Sequence, residues 1–269
     1  MSVAIPPILL VGCGRMGGAM LAGWREQGLA ASVAVDPAPA AAGSAGADLT
    51  VVADAGGIPA GFAPAAVVFA VKPQSAAETL PLYRPLAGKA VFLSIMAGRT
   101  IGGMRTLLGE GAAIVRAMPN TPAAVRQGVT VACPGTGVDA AQRALCERLL
   151  TAIGVVAWVE DEALLDPVTA VSGSGPAYVF LLAELMEKAA IEQGIPADLA
   201  RLLARQTVAG SGALLAASAE DAAALRVAVT SPAGTTERAL SVLMASDAWP
   251  QAMSRAIAAA TERSRELAS

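Results

Sequence analysis

Residues 8–18, Ile8-Leu9-Leu10-Val11-Gly12-Cys13-Gly14-Arg15-Met16-Gly17-Gly18, decide the reading of the chain. Four apolar residues suited to a strand lead through G-x-G-x-x-G into an amphipathic helical pattern, the context a dinucleotide fingerprint requires. Gly12 would permit the tight turn, Gly14 would let the backbone approach a pyrophosphate, and Gly17 would let the helix pack close to the strand. The helix start turns unpaired N–H groups and a positive dipole end toward the phosphates. Gly12, Cys13, Gly14, Arg15, Met16 and Gly17 are therefore the first cofactor-binding candidates, and Arg15 could also pair with a phosphate.

The fingerprint's acidic partner would be Asp36, 19 positions beyond Gly17 at the end of the next apolar run. A carboxylate there can accept hydrogen bonds from the adenosine ribose and would repel a 2′-phosphate. Between Asp36 and Lys72 there is no Lys or Arg to offset that repulsion. This local reading favours NADH; the alternative is that Asp36 only caps a turn before Pro37.

Beyond it, the apolar runs 49–52, 65–71, 90–95, 113–117, 128–133 and 155–159 join 8–12 and 32–36. They are continuous rather than alternating, so they predict strands buried on both faces, a parallel sheet between helical layers. The expected fold class is α/β, an N-terminal Rossmann-type doubly wound sheet, over 1–160. From 161 to 269 the pattern turns wholly helical, with helices expected over 176–193, 197–217, 219–227, 235–245 and 248–267. That domain carries more apolar surface than it can bury by itself, which predicts a homodimer, with a higher assembly of dimers left open.

Ligands in open α/β sheets bind beyond the carboxyl ends of strands. That rule adds Ala70, Val71, Lys72 and Pro73 after the fourth run, Met96 and Ala97 after the fifth, and Asn120 in the Met118–Pro122 turn after the sixth. Lys72 reads equally as a solvated charge at a strand end. The segment Val171–Tyr178, VSGSGPAY, punctuated by Gly and Pro, predicts a compact loop opening a long helix. The turn Thr230–Thr236, TSPAGTT, precedes another helix and offers N–H groups and hydroxyls to a carboxylate, although Ser and Thr also cap helices.

Composition excludes several classes. The 269 residues contain no histidine, which removes Ser-His-Asp, Cys-His and His-zinc chemistry. The three cysteines have no metal-ligand spacing, so no metal is expected. A formal net charge of -3 without charge runs leaves no footprint for nucleic acid or an anionic membrane. No window is uninterruptedly apolar over about 18 residues, and MSVAIPPILLVG reads as mature protein without a basic leader, so a cytoplasmic chain is expected.

RAMPNTPAAVRQGVT, VSGSGPAYVF and VTSPAGTTERAL, in this order behind the N-terminal fingerprint, resemble the pyrroline-5-carboxylate reductase family over nearly the whole chain. The resemblance implies reduction of the imine of 1-pyrroline-5-carboxylate to L-proline by NAD(P)H, the last step of proline biosynthesis. It also implies a helical dimerisation domain and active sites where two subunits interleave. It assigns substrate binding to Ser174, Val229, Ser231, Gly234, Thr235 and Thr236, with Thr236 the catalytic candidate near the ring nitrogen. Family members usually use NADPH, against the local reading of Asp36. Where the family has Asn or Gln this chain has Arg15, and where it has a second Gly this chain has Ala233; its His-Pro pair is absent. Two other readings compete: a β-hydroxyacid dehydrogenase, disfavoured because Lys188 stands about three helical turns from GSGPAY, and a dinucleotide-sensing dimer.

Overall fold

The computed structural model describes residues 4–268. Among these, strands β1 Ile8–Val11, β2 Ser32–Val35, β3 Leu49–Val52, β4 Ala66–Phe69, β5 Val91–Ser94, β6 Ile114–Met118, β7 Gly128–Pro134 and β8 Gly154–Trp158 form one sheet in the order β3-β2-β1-β4-β5-β6-β7-β8. The helices are α1 Arg15–Glu26, α2 Pro39–Ala42, α3 Ala76–Thr79, α4 Ile101–Leu108, α5 Ala140–Thr151, α6 Leu165–Val168, α7 Gly175–Glu192, α8 Ala197–Ala217, α9 Ala222–Ala228, α10 Thr235–Leu243 and α11 Trp249–Ala268. The chain divides into two compact units, one running to Gly173 and rejoined by the segment from Ala260, the other Ser174–Ala259.

The first unit is a doubly wound α/β fold, and its first six strands keep the dinucleotide-binding order 3-2-1-4-5-6. Continuous apolar strands arise because alternate side chains enter two separate cores. Ile8, Leu10, Val68, Leu93 and Val115 face one core with Met20, Leu21 and Trp24 of α1 and Leu149 and Leu150 of α5. Leu9, Val11, Val67, Phe69, Phe92 and Ile114 face the other, with Leu80, Tyr83, Met104 and Leu108. Close approach also needs small residues: a side chain at Gly23 of α1 would lie 2.4 Å from the Ala152 carbonyl oxygen. Trp24 reaches across to the same region, donating Nε1–H to the Leu149 carbonyl at 2.8 Å.

The sheet is mixed rather than parallel. β7 runs antiparallel to β6, with Arg116 opposite Cys133 and Met118 opposite Val131, while β8 runs parallel to β7. The physical reason is the connection 119–127, which is shorter than the dozen or more residues a parallel crossover needs. The segment from Val171 is not a loop. Thr169–Gly173 forms a π-helical turn between α6 and α7, so Gly and Pro mark a bulged turn, and helical structure continues from Leu165 to Glu192. Single π turns of this kind are rare and concentrate at functional sites.

In the second unit α7 and α8 pack together, with Ala200 and Ala204 buried. A turn at Gly194, φ +86°, joins them. Phe180, Leu185, Leu202, Leu214, Val227 and Val242 remain largely exposed within a single chain. The helical run Glu162–Glu192 is long and apolar enough to cross a membrane by length and composition, with mean hydropathy 1.3 and 6% of its most apolar window buried.

Candidate functional site

The Gly-rich turn is built by exclusion. Gly12 has φ +98°, and a side chain there would stand 2.8 Å from the Ala70 carbonyl oxygen. At Gly17 an added Cβ would lie far inside van der Waals contact distance of the Gly12 carbonyl oxygen, so the first turn of α1 can sit on the strand end only as glycine. Gly14 is the opposite case. An added Cβ would meet nothing within 4 Å, which leaves the backbone open to a ligand. Gly14 is also the N-cap of α1 and makes no side-chain cap bond, so the first N–H groups of the helix are not claimed by a capping side chain. A filled turn beside an open one, at a 12-residue helix start, fits a dinucleotide pyrophosphate.

Asp36 closes the turn from the next strand. Its Oδ2 accepts the Cys13 N–H at 2.6 Å and its Oδ1 accepts the Ala38 N–H at 2.8 Å. The carboxylate therefore caps the turn after β2, the second of the two readings of Asp36, and also grips the Gly-rich loop, a contact unforeseen from sequence. Burial and the neighbouring Asp36 charge push the Cys13 thiol up to about 11, so it stays protonated at neutral pH.

The remaining cofactor candidates gather at the carboxyl ends of the parallel strands. Ala70 and Val71 lean on Gly12. Lys72 is exposed and Pro73 half-buried at the start of the next turn. Met96 is fully buried, whereas Ala97 is exposed. Asn120 accepts the Val129 N–H through Oδ1 at 2.9 Å, which fixes the Met118–Pro122 turn against β7. Sequence reasoning missed Arg99, whose Nε–H donates to the Pro73 carbonyl at 2.9 Å and ties the loop after β5 to the loop after β4. It also missed an ion pair between buried Arg116 in the middle of β6 and half-buried Glu162. Glu162 Oε1 accepts from Arg116 Nη1 at 2.8 Å and from the Ile101 N–H at 2.8 Å. No motif marks either link.

The substrate candidates lie on the second unit. Ser231, Gly234, Thr235 and Thr236 share one turn at the start of α10, Val229 precedes it, and Ser174 stands on a different element as the N-cap of α7. Thr236 is half-buried in the first turn of α10. Gly234 is the N-cap, and a side chain on it would meet Ser231 Oγ at 2.8 Å and the Ser231 carbonyl oxygen at 2.9 Å. Ala233 holds φ +57°, the left-handed region in which the family has glycine. Glu237 folds back to accept the Ala233 N–H at 2.7 Å, one residue before the N-cap. The signal was present in sequence as an acidic residue three positions after Gly234.

Residues 162–267 match the family described as pyrroline-5-carboxylate reductase dimerisation, and residues 7–98 match NADP oxidoreductase, coenzyme F420-dependent. A pyrroline-5-carboxylate reductase of Pseudomonas aeruginosa is 36% identical over 99% of this chain and 98% of its own length. The solved pyrroline-5-carboxylate reductase of Coxiella burnetii superposes with TM-score 0.90 at 30% identity, covering 98% of this chain and 99% of that one. The Plasmodium falciparum pyrroline carboxylate reductase, solved with NADP bound, gives TM-score 0.83 at 26% identity over 99% of this chain and 100% of that one.

Proposed function

Because the chain belongs to the pyrroline-5-carboxylate reductase family, we propose that its Gly-rich turn and Asp36 hold NADH in preference to NADPH, while the 229–236 segment holds the substrate. The enzyme reduces the C=N bond of 1-pyrroline-5-carboxylate to L-proline, completing proline biosynthesis, and a bound nicotinamide supplies the hydride. The family's dimerisation domain makes it a homodimer. We assign the apolar helix 162–192 to the second copy rather than to lipid, since it lies wholly within the matched dimerisation residues.

The observation that carries the cofactor reading is the Asp36 carboxylate held 2.6 Å from the Cys13 N–H. Two backbone bonds fix its negative charge beside the Gly-rich loop, and each oxygen keeps acceptor capacity for a ribose hydroxyl. A 2′-phosphate would meet that charge without a nearby cation from the segment up to Lys72. The Plasmodium relative binds NADP; this chain's own carboxylate argues for the other dinucleotide. The first turn of α1 binds the pyrophosphate, and Ala70 to Pro73, Met96, Ala97 and Asn120 border the nicotinamide half.

Little acid–base work is required of the protein. A pyrroline imine is partly protonated near neutral pH, so orientation and charge placement supply most of the rate, and a chain without histidine can perform the reaction. At the start of α10 the N–H groups of Thr235 and Thr236 point to a carboxylate, and the Thr236 hydroxyl orients the ring nitrogen. Ser174 and Ser231 supply further hydroxyls.

The test compares kcat/KM for the two dinucleotides. NADH is expected to be preferred, and Asp36→Ser combined with Ala38→Arg is expected to move the ratio toward NADPH. A wild-type preference for NADPH on the order of 100-fold, roughly 2.7 kcal/mol, would refute the reading of Asp36.

A further inference from the structure

We infer that the C-terminal turn of α11 is a positioning element for the nicotinamide half of the cofactor site, an inference that rests on the assignment above of the loops after β4 and β5. Helix α11 begins in the second unit, but its residues from Ala260 belong to the first. Two contacts hold its end there. Ser264 is 6% exposed and its hydroxyl donates to Asp166 Oδ1 of α6 at 2.7 Å. Three residues on, the backbone of Leu267 covers Gly98. Gly98 has φ +67°, and a side chain on it would fall 2.8 Å from the Leu267 carbonyl oxygen and 3.1 Å from its Cβ.

Gly98 lies between Ala97, which borders the nicotinamide half, and Arg99, whose Nε–H donates to the Pro73 carbonyl at 2.9 Å. A connected series of contacts thus runs from α6 through Ser264 and Leu267 to Gly98, and through Arg99 to the loop after β4. The loops 70–72 and 95–100 consist of small or apolar residues apart from Lys72, Arg99 and Thr100. Their conformation depends on what covers them. Misplacement by about 1 Å is enough to cost a hydride-transfer enzyme on the order of 100-fold, so a strut on this loop acts on turnover without touching substrate. Ser264 and Leu267 are positioning residues in this sense.

The experiment uses the full enzyme, a chain ending at Arg263, Ser264→Ala and Ser264→Thr. NADH affinity is measured by fluorescence beside kcat, and ADP-ribose, which lacks the nicotinamide, is measured as a competitor. The shortened chain is expected to lose about ten-fold or more in kcat/KM, and Ser264→Ala about two- to ten-fold, the reach of one neutral hydrogen bond. Ser264→Thr, which keeps the hydroxyl, is expected to recover most of the loss. ADP-ribose should bind all of them equally.

Ala97→Phe, which crowds the loop itself, separates the two readings. If Ala97→Phe disables turnover and the tail variants behave as wild type, the strut is overturned and the loop assignment stands. If Ala97→Phe is also silent, the loop assignment fails and the strut with it. If ADP-ribose weakens in step with NADH, the tail supports the fold in general and the inference is overturned.

Discussion

Ala233 shows how a single residue can depart from its family while the backbone does not. The turn keeps φ +57°, although an alanine Cβ meets steric resistance there that glycine avoids, at about 1–2 kcal/mol. The conformation persists because Glu237 accepts the Ala233 N–H and because Gly234, next in line, has no side chain to strike Ser231. Ala233→Gly should therefore raise stability by about 0.5–1 kcal/mol after the loss of unfolded-chain stiffness is counted, read as an upward shift of the urea midpoint at unchanged slope. An unchanged or lower midpoint would mean that the turn relaxes differently from its backbone angle. At the other site Cys13 is similarly constrained: with its thiol pushed up to about 11, it is a weak nucleophile despite its place in the ligand loop.

At the scale of elements, the substrate assignment proposed above gives the start of α10 two separable tasks. Thr236→Ala removes one neutral hydrogen bond of about 0.5–1.5 kcal/mol and some orientation of the imine, so kcat/KM should fall while NADH binding and the fold remain. Gly234→Val should do worse, since a β-branched side chain must enter space already held by Ser231. Full activity in Thr236→Ala would remove that residue from the site. Much at this scale was legible in sequence. The central strands showed as continuous apolar runs because both faces of the sheet are covered there, whereas β8, read the same way, has no buried residue and leaves Val155 exposed; α7, α8 and α11 showed as helical patterns. The direction of β7 was not, because an apolar run has no polarity; only the short 119–127 connection carries that information. The π turn was hidden for a different reason: Gly173 and Pro176 punctuate a bulged helix with the same residues that end one. Contacts between distant loops, such as Asp36 with Cys13 or Arg99 with Pro73, exist only once the sheet brings strand ends together.

For the whole molecule, the surface of the second unit sets the assembly. Phe180 of α7 is 67% exposed in a single chain and Leu202 of α8 is 55% exposed, two of many exposed large apolar side chains on the helices matched to the dimerisation family. Phe180→Glu and Leu202→Glu should each weaken the dimer, seen by sedimentation as dissociation at concentrations where the wild type remains paired, and turnover should fall in parallel if active sites need both copies. A dimer indifferent to both changes would place the interface on other helices. The reversal of β7 shapes the opposite end of the first unit. Because β7 returns toward the start of β6, the exposed Thr136–Gly137 turn lies at the amino ends of the parallel strands, where Gly135 N–H donates to the Ile114 carbonyl at 2.7 Å and Arg105 holds the Thr136 carbonyl at 2.8 Å. Within the first unit the sheet therefore stands between this turn and the loops after β1, β4 and β5, to which the cofactor is assigned above. That makes the turn a natural handle: an affinity peptide or surface tether spliced between Thr136 and Gly137 should leave kcat and both KM values within about two-fold, since surface loops accept added length at little thermodynamic cost, and would present an immobilised enzyme with its cofactor mouth facing the solution.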